Sequence, residues 1–315
     1  MKTINLVDPE LRAFLTTMPT TTYDMEGLRE RRANPIPAPE AAPNPDLEVT
    51  ERFVPGPPGA PDVRVMVYRP KSATAPLPAI LHIHGGGYIV GVPEMDDAYN
   101  RGYAAELGCL IVSVDYRLAP EHPFPAPLED CYAALAWLHA EADALGVDRA
   151  RIAVKGESAG GGLAAGLALM ARDHGEIALC HQCLTAPMID DRTVLAEPHG
   201  FAGEFVWTAE SNRFGWACYL GQEPGGDGVS AHAAPSRVAD PTGLPATFIC
   251  VGNLDLFLEE NLDYVRRLGR AGVPVELHVY PGAFHGFRMA GDTALHRRYL
   301  ADVRGSLAAA FRREG

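Results

Sequence analysis

Gly156-Glu157-Ser158-Ala159-Gly160 is the stretch on which the reading turns. Before it stands Arg151-Ile152-Ala153-Val154-Lys155, an apolar-rich run that reads as a buried strand. After it, residues 161–171 are small and apolar with helical character. A G-x-S-x-G between a strand and a helix is a nucleophile elbow. The sharp turn holds the serine in a strained backbone conformation, so its neighbours must lack bulk. Ser158 then stands above the amino end of the helix, where unpaired N–H groups, that of Ala159 foremost, can stabilise an oxyanion. A glycine- and serine-rich loop can match this pattern by chance, so the rest of the chain has to agree with it.

At 315 residues the chain fits one large α/β domain with insertions. Its 47% hydrophobic and 21% charged residues are ordinary for a globular enzyme. The net charge of −13 argues against nucleic acid or an anionic membrane as partner, since both would be repelled. No stretch approaches the roughly 18 apolar residues that span a bilayer. Residues 1–10 lack a signal peptide's apolar core and cleavage site, so the expected location is cytoplasmic. The 6 cysteines have no framework spacing. Cys180-His181-Gln182-Cys183 is a C-x-x-C, but it lies in a strand-like run, where residues three apart face opposite ways. Two buried structural thiols are expected there.

Residues 1–45 read as short helices at 6–14 and 23–33 followed by an extended proline-rich linker at 34–45. Apolar positions at Leu6, Leu11, Phe14, Leu15 and Met18 imply that this segment packs over something. Residues 47–53 and 63–68 alternate polar and apolar, as an antiparallel pair at a sheet edge does. Central strands are expected at 78–84, 109–114, 151–155, 178–185, 246–252 and 275–280, with helices at 98–107, 126–143, 257–271 and 293–313. The alternation means βαβ units, hence a mainly parallel sheet flanked by helices. Residues 187–242 break the rhythm with Phe201, Phe205, Trp207, Phe214, Trp216 and Tyr219. Ligand crevices form at the carboxyl end of such a sheet, so this insertion is read as a lid in preference to a self-packed loop.

His84-Gly85-Gly86-Gly87-Tyr88 ends the first central strand. Successive glycines let backbone N–H groups turn outward and approach an anion, which acyl transfer requires. The serine also needs a base, and the base an orienting acid, in the chain order Ser, Asp or Glu, His. Asp255 follows the strand 246–252, and His285 follows the strand 275–280, so both stand at the same sheet edge as Ser158. His278 lies inside a strand and His296 in the last helix, and both read as structural; Glu259, Glu260 and Asp263 read as a solvated helix face. No histidine, cysteine and carboxylate spacing points to a metal, and no G-x-G-x-x-G points to a dinucleotide.

Taken together, His84 to Gly87, Asp115-Tyr116-Arg117-Leu118-Ala119-Pro120-Glu121-His122-Pro123-Phe124-Pro125, the elbow at 156–160, and the Asp255 and Phe284-His285-Gly286-Phe287 loops resemble the hormone-sensitive-lipase-like esterases, bacterial family IV of the α/β-hydrolase superfamily. The resemblance spans residues 80–290. It implies an α/β-hydrolase fold with a helical cap, a catalytic triad of Ser158, Asp255 and His285, and oxyanion donors on Gly86, Gly87 and Ala159. It also implies a cap built from residues 1–45 and 187–242 over a catalytic domain of residues 46–186 and 243–315, and a structural role for Asp115, Arg117 and Glu121. The chain departs from the family pattern at Glu157, where aspartate or threonine is usual, and at Leu256, where a proline usually follows the acid. Glu157 is read as structural in preference to a carboxylate acting beside the site.

The expectation is a serine carboxylesterase for short- to medium-chain esters, with a small-molecule ester as its partner and neither cofactor nor metal. A homodimer through the strand 275–280 is expected if that strand is an edge. One rival is a hydrolase of the same mechanism acting on amides, carbamates or acetylated xenobiotics. The other is a binding module like the plant gibberellin receptors, which resemble this family but lack the histidine that stands here at His285.

Overall fold

The strands Leu77–Ile83 (β3), Leu110–Asp115 (β4) and His181–Thr185 (β6) are almost wholly buried, as strands covered on both faces are. They belong to a computed structural model that describes residues 2–18, 22–35, 43–72, 76–197 and 199–312. Ahead of them come the helices Arg12–Thr17 (α1) and Met25–Ala33 (α2), and the strands Leu47–Val54 (β1) and Val63–Pro70 (β2). Helix Asp97–Leu107 (α3) joins β3 to β4, and Ala126–Ala140 (α4) with Ala142–Leu145 (α5) leads to strand Val147–Glu157 (β5). Helix Ala159–His174 (α6) leads to β6, and Ala209–Leu220 (α7) stands between β6 and strand Ala246–Gly252 (β7). Helix Leu258–Arg270 (α8), strand Val275–Tyr280 (β8) and helix Ala294–Arg312 (α9) complete the chain.

Among the described residues the sheet has 8 strands in the order β1-β2-β4-β3-β5-β6-β7-β8. The first two pairings are antiparallel and the rest parallel. Strand alternation divides the core into two layers. Ala79, Leu81, Ile83, Ile152 and Val154 face a layer shared with α4, α6 and α8. Ile80, Ile111, Ala153 and Phe248 face a layer shared with α3 and α9. The parallel order brings the carboxyl ends of β3, β5, β7 and β8 to one edge of the sheet.

The edge pair, the central strands and most helices form where the sequence places them. Residues 6–14 do not make the expected helix. A 3₁₀ turn at Ile4–Leu6 precedes α1, which begins at Arg12. Pro9 cannot continue a helix, and the Asp8 N–H donates to Gly282 O at 3.0 Å, pinning the chain to the turn after β8. Helix 126–143 divides at Glu141. The linker expected at 34–45 lies largely outside the described residues, which omit 36–42. Cys183 is buried, whereas Cys180, just before β6, is only half-buried. Burial pushes the Cys183 thiol up to about 12. No helix among the described residues is long and apolar enough to cross a membrane.

The turn from β5 into α6 is packed to backbone contact. A Cβ on Gly160 would stand 2.2 Å from Ile83 O and 2.3 Å from His84 O. We expect Gly160→Ala to destabilise the protein by about 3 kcal/mol, the upper part of the overpacking range. Urea unfolding followed by fluorescence measures this.

Candidate active site

Four loops at the carboxyl edge of the sheet build the site. Ser158, between β5 and α6, has φ 54° and ψ −123°, a strained conformation for a non-glycine residue. Its own N–H is bound to Thr185 O at 2.9 Å, and its carbonyl accepts from Gly162 and Met188, each at 3.0 Å. The side chain is therefore the part left free to act. Ala159 opens α6, where an N–H has no acceptor inside the helix.

The Ser158 hydroxyl lies 2.9 Å from His285 Nε2, and His285 Nδ1 lies 2.9 Å from Asp255 Oδ2. The remaining oxygen of Asp255 accepts the Phe257 N–H at 2.9 Å. Leu256 replaces the usual proline without loosening this loop. The Leu254 N–H donates to Ala283 O at 2.9 Å, and Asn253 Oδ1 accepts from the Gly282 N–H at 2.7 Å. These bonds clamp the aspartate loop to the histidine loop. The Phe257 and His285 rings stand at 89° to each other with centroids 5.1 Å apart, a contact that restrains the imidazole plane. The residues read from the sequence as nucleophile, base and acid are thus brought into one hydrogen-bonded line.

The glycine loop after β3 lies on the other side of Ser158. Gly86 and Gly87 both have positive φ, at 125° and 60°. The Gly86 carbonyl accepts from Ile89 at 3.1 Å and Val90 at 3.0 Å, turning the loop back on itself. A Cβ on Gly87 would sit 2.2 Å from the Trp207 ring, so the indole rests directly on this loop. His84 is held below the loop by its stack on Tyr116, with ring centroids 4.3 Å apart. Burial lowers its pKa, which keeps the ring neutral, and Nδ1–H donates to Gly85 O at 2.8 Å.

Backbone strain gathers here. Among the described residues the non-glycine positions with positive φ are Tyr88, Ser158, Ala186 and Val206. Val206 is the centre of a γ-turn, with the Trp207 N–H on Phe205 O at 2.7 Å, an unfavourable conformation for a β-branched residue. It aims Trp207 between Tyr23 and His285, at centroid distances of 5.7 and 6.5 Å. A cavity of about 710 Å³ opens above Ser158, lined by this indole, Val206, Leu118, Met95 and Met289 among others.

Beneath the nucleophile, on the α3 and α9 side of the sheet, lies a layer of charge. Lys155, at 1% exposure, donates to Glu157, at 4%. Glu157 also meets His82 Nε2 at 3.1 Å. Asp96 stands 3.5 Å from the same nitrogen and pairs with Arg288 at 2.7 Å. Burial alone would push the Glu157 carboxyl up; Lys155, His82 and Arg288 overcome that and hold it well below the usual carboxylate range. His82, Asp96 and Glu157 offer ligand atoms within 4.8 Å of one another. Lys155 and Arg288 already supply the positive charge that these carboxylates need, so the donor set does not fit a resident cation. Sequence reading found Glu157 but missed the rest. The available signal was parity, since residues 155 and 157 of one strand must share a face.

Arg64 pairs with Asp115 at 3.1 Å, Arg117 with Asp130 at 2.7 Å, and Arg32 with Glu121 at 2.7 Å, in structural roles as expected. His278 sits between Glu276 and Asp302, and His296 faces Tyr99, all away from Ser158. Glu260 corrects the expectation of a solvated face. It is buried and accepts the Ile189 N–H at 2.8 Å and the Thr193 hydroxyl, tying α8 to the chain leaving β6. Burial pushes its carboxyl well above the usual range.

A family model described as the alpha/beta hydrolase fold matches residues 80–289. Carboxylesterase NlhH of Mycobacterium tuberculosis is 36% identical over 292 residues, covering 89% of this chain and 88% of its own length. Esterase LipI of the same organism is 32% identical over 301 residues, with 89% and 88% covered. A solved bacterial heroin esterase superposes with a TM-score of 0.90 at 38% identity, covering 99% of this chain and 100% of that one. Esterase LipW from Mycobacterium marinum gives 0.83 at 34% identity, with 98% of each chain covered. The chain belongs to the α/β-hydrolase family, in its hormone-sensitive-lipase-like branch. It is a carboxylic-ester hydrolase.

Glu157→Gln leaves Lys155 buried without its carboxylate and should cost about 3 kcal/mol or more. Adding Lys155→Met should restore part of that loss. The depressed carboxyl stabilises the fold above its unfolded value of about 4.3, and this contribution fades as pH falls. Wild-type stability should therefore drop on acidification below about pH 4 with a steeper slope than that of Glu157→Gln. Denaturant melts across pH measure both.

Proposed function

We propose that Ser158, His285 and Asp255 are the catalytic triad of a serine carboxylesterase, with the N–H groups of Gly86, Gly87 and Ala159 as its oxyanion hole. The unbroken line from the Ser158 hydroxyl through His285 to Asp255 carries this reading. His285 Nε2 takes the hydroxyl proton as Ser158 Oγ attacks the ester carbonyl. The negative charge that develops on the carbonyl oxygen meets the glycine loop and the amino end of α6. Collapse breaks the ester C–O bond, and the imidazolium returns its proton to the leaving alcohol. Water, deprotonated by the same imidazole, then releases the acid. Asp255 keeps the Nδ1–H tautomer and stabilises the imidazolium without itself taking the proton.

Short- to medium-chain esters are the proposed substrates. A cavity of about 710 Å³ with mostly apolar walls suits a soluble ester. We read residues 1–45 and 187–242 as the cap, since Tyr23 binds Ser211 through its N–H and packs on Trp207 above the glycine loop.

The test is initial rates on 4-nitrophenyl esters from acetate to palmitate. Rates should peak at short or medium chains and fall by about a millionfold in Ser158→Ala. Folded wild type without activity would contradict the reading. Tributyrin should be cleaved and triolein not; equal rates on both would contradict the chain-length assignment.

We further propose a homodimer paired through β8, which is the last strand of the sheet and leaves Val279 37% exposed. Light scattering should give twice the chain mass, and a monomer mass would end the idea.

A further inference from the structure

The cavity over Ser158 has two kinds of wall. Arg31, Arg32, Glu121 and His122, from α2 and the loop after β4, make a polar one. An alkyl chain directed there would desolvate charges for no return. The other wall is made of thioethers. Met18 follows α1, Met95 lies in the 3₁₀ turn Pro93–Asp96, and Met289 lies in the 3₁₀ turn Phe287–Ala290. The Met289 methyl reaches back to the catalytic loop, only 2.6 Å from where a Cβ on Gly286 would be.

The same three methionines, with Arg288, also line a second cavity of about 580 Å³ between α3 and α9. Phe14, Ala98, Tyr99, Gly102 and Leu300 are among its other walls. The charges around it are already matched. Arg288 pairs with Asp96 at 2.7 Å and lies over the Tyr99 ring at 4.8 Å, and Glu106 is bonded to Arg304. The second chamber therefore offers apolar surface next to the first, across a partition of unbranched, adaptable side chains. Met289 is 39% exposed and has room to swing.

We infer that the second cavity is a tail site, which receives the unbranched alkyl arm of an ester whose carbonyl stands at Ser158. This rests on the reading of Ser158 as nucleophile. Each methylene that passes the methionines into apolar surroundings gains up to about fourfold in affinity. The arm is either the acyl chain or the alkyl alcohol, and two substrate series tell them apart.

Gly102 lies on α3 facing the chamber, and a Cβ there meets nothing within 4 Å. Gly102→Phe fills the chamber without crowding the fold and adds helix propensity. Ala98→Trp, on an exposed position of the same helix, fills it independently. Each variant is assayed on 4-nitrophenyl acetate through decanoate and on ethyl through decyl acetate. Short esters should keep their kcat/KM within about twofold, while eight- to ten-carbon arms should lose about tenfold or more in one series. Met289→Ala should shift the optimum to longer arms. Equal loss at all lengths, or no loss at any, would overturn the tail site. A wild type inactive on the acetate ester, or an active Ser158→Ala, would instead overturn the nucleophile reading, so the two failures are distinct.

Discussion

The backbone reversal at Ser158 is the constraint on which the site depends. A φ of 54° at a serine is unfavourable by itself. It persists because the Ser158 N–H and carbonyl are both bonded to neighbouring chain and because Gly160 is pressed against the end of β3. The same packing sets the glycine loop beside the nucleophile. One steric condition thus fixes the serine, the start of α6 and the oxyanion donors we propose.

Below that turn the charged layer joins three loops that the chemistry must keep in register. Glu157 belongs to the elbow, Asp96 to the turn after the glycine loop, and Arg288 to the segment just past His285. Two carboxylates face two cations, with His82 between them. Such a layer is costly to desolvate, and its value lies in geometry, because removing any one of its four ions strands a charge. The glutamate at position 157 contributes length. It spans from Lys155, one face-repeat back along β5, to His82 on the neighbouring strand.

Much of this was legible in the sequence. Strand parity, the order of elements and the placement of Asp255 and His285 after strands all follow from local pattern, which fixes which sheet edge a loop occupies. What was not legible depends on distant chain. Helix 6–14 fails because Asp8 bonds Gly282 and Pro9 interrupts it, and only the proline is visible locally. Glu260 carries the charge of a surface residue, yet the chain leaving β6 supplies the donors that bury it. Arg288 and Asp96 lie far apart in sequence, and no spacing announces their pairing. The γ-turn at Val206 is hidden for the same reason, since it is held by the packing of Trp207 on Gly87.

The most direct test of the account is covalent trapping with diethyl 4-nitrophenyl phosphate, followed by peptide mass spectrometry. The phosphoryl group should transfer to a single residue, Ser158, with release of one 4-nitrophenol per active chain. The same treatment of His285→Ala should give almost no adduct, because the hydroxyl then has no base. An adduct on another residue, or ester hydrolysis that survives full labelling of Ser158, would contradict the central claim.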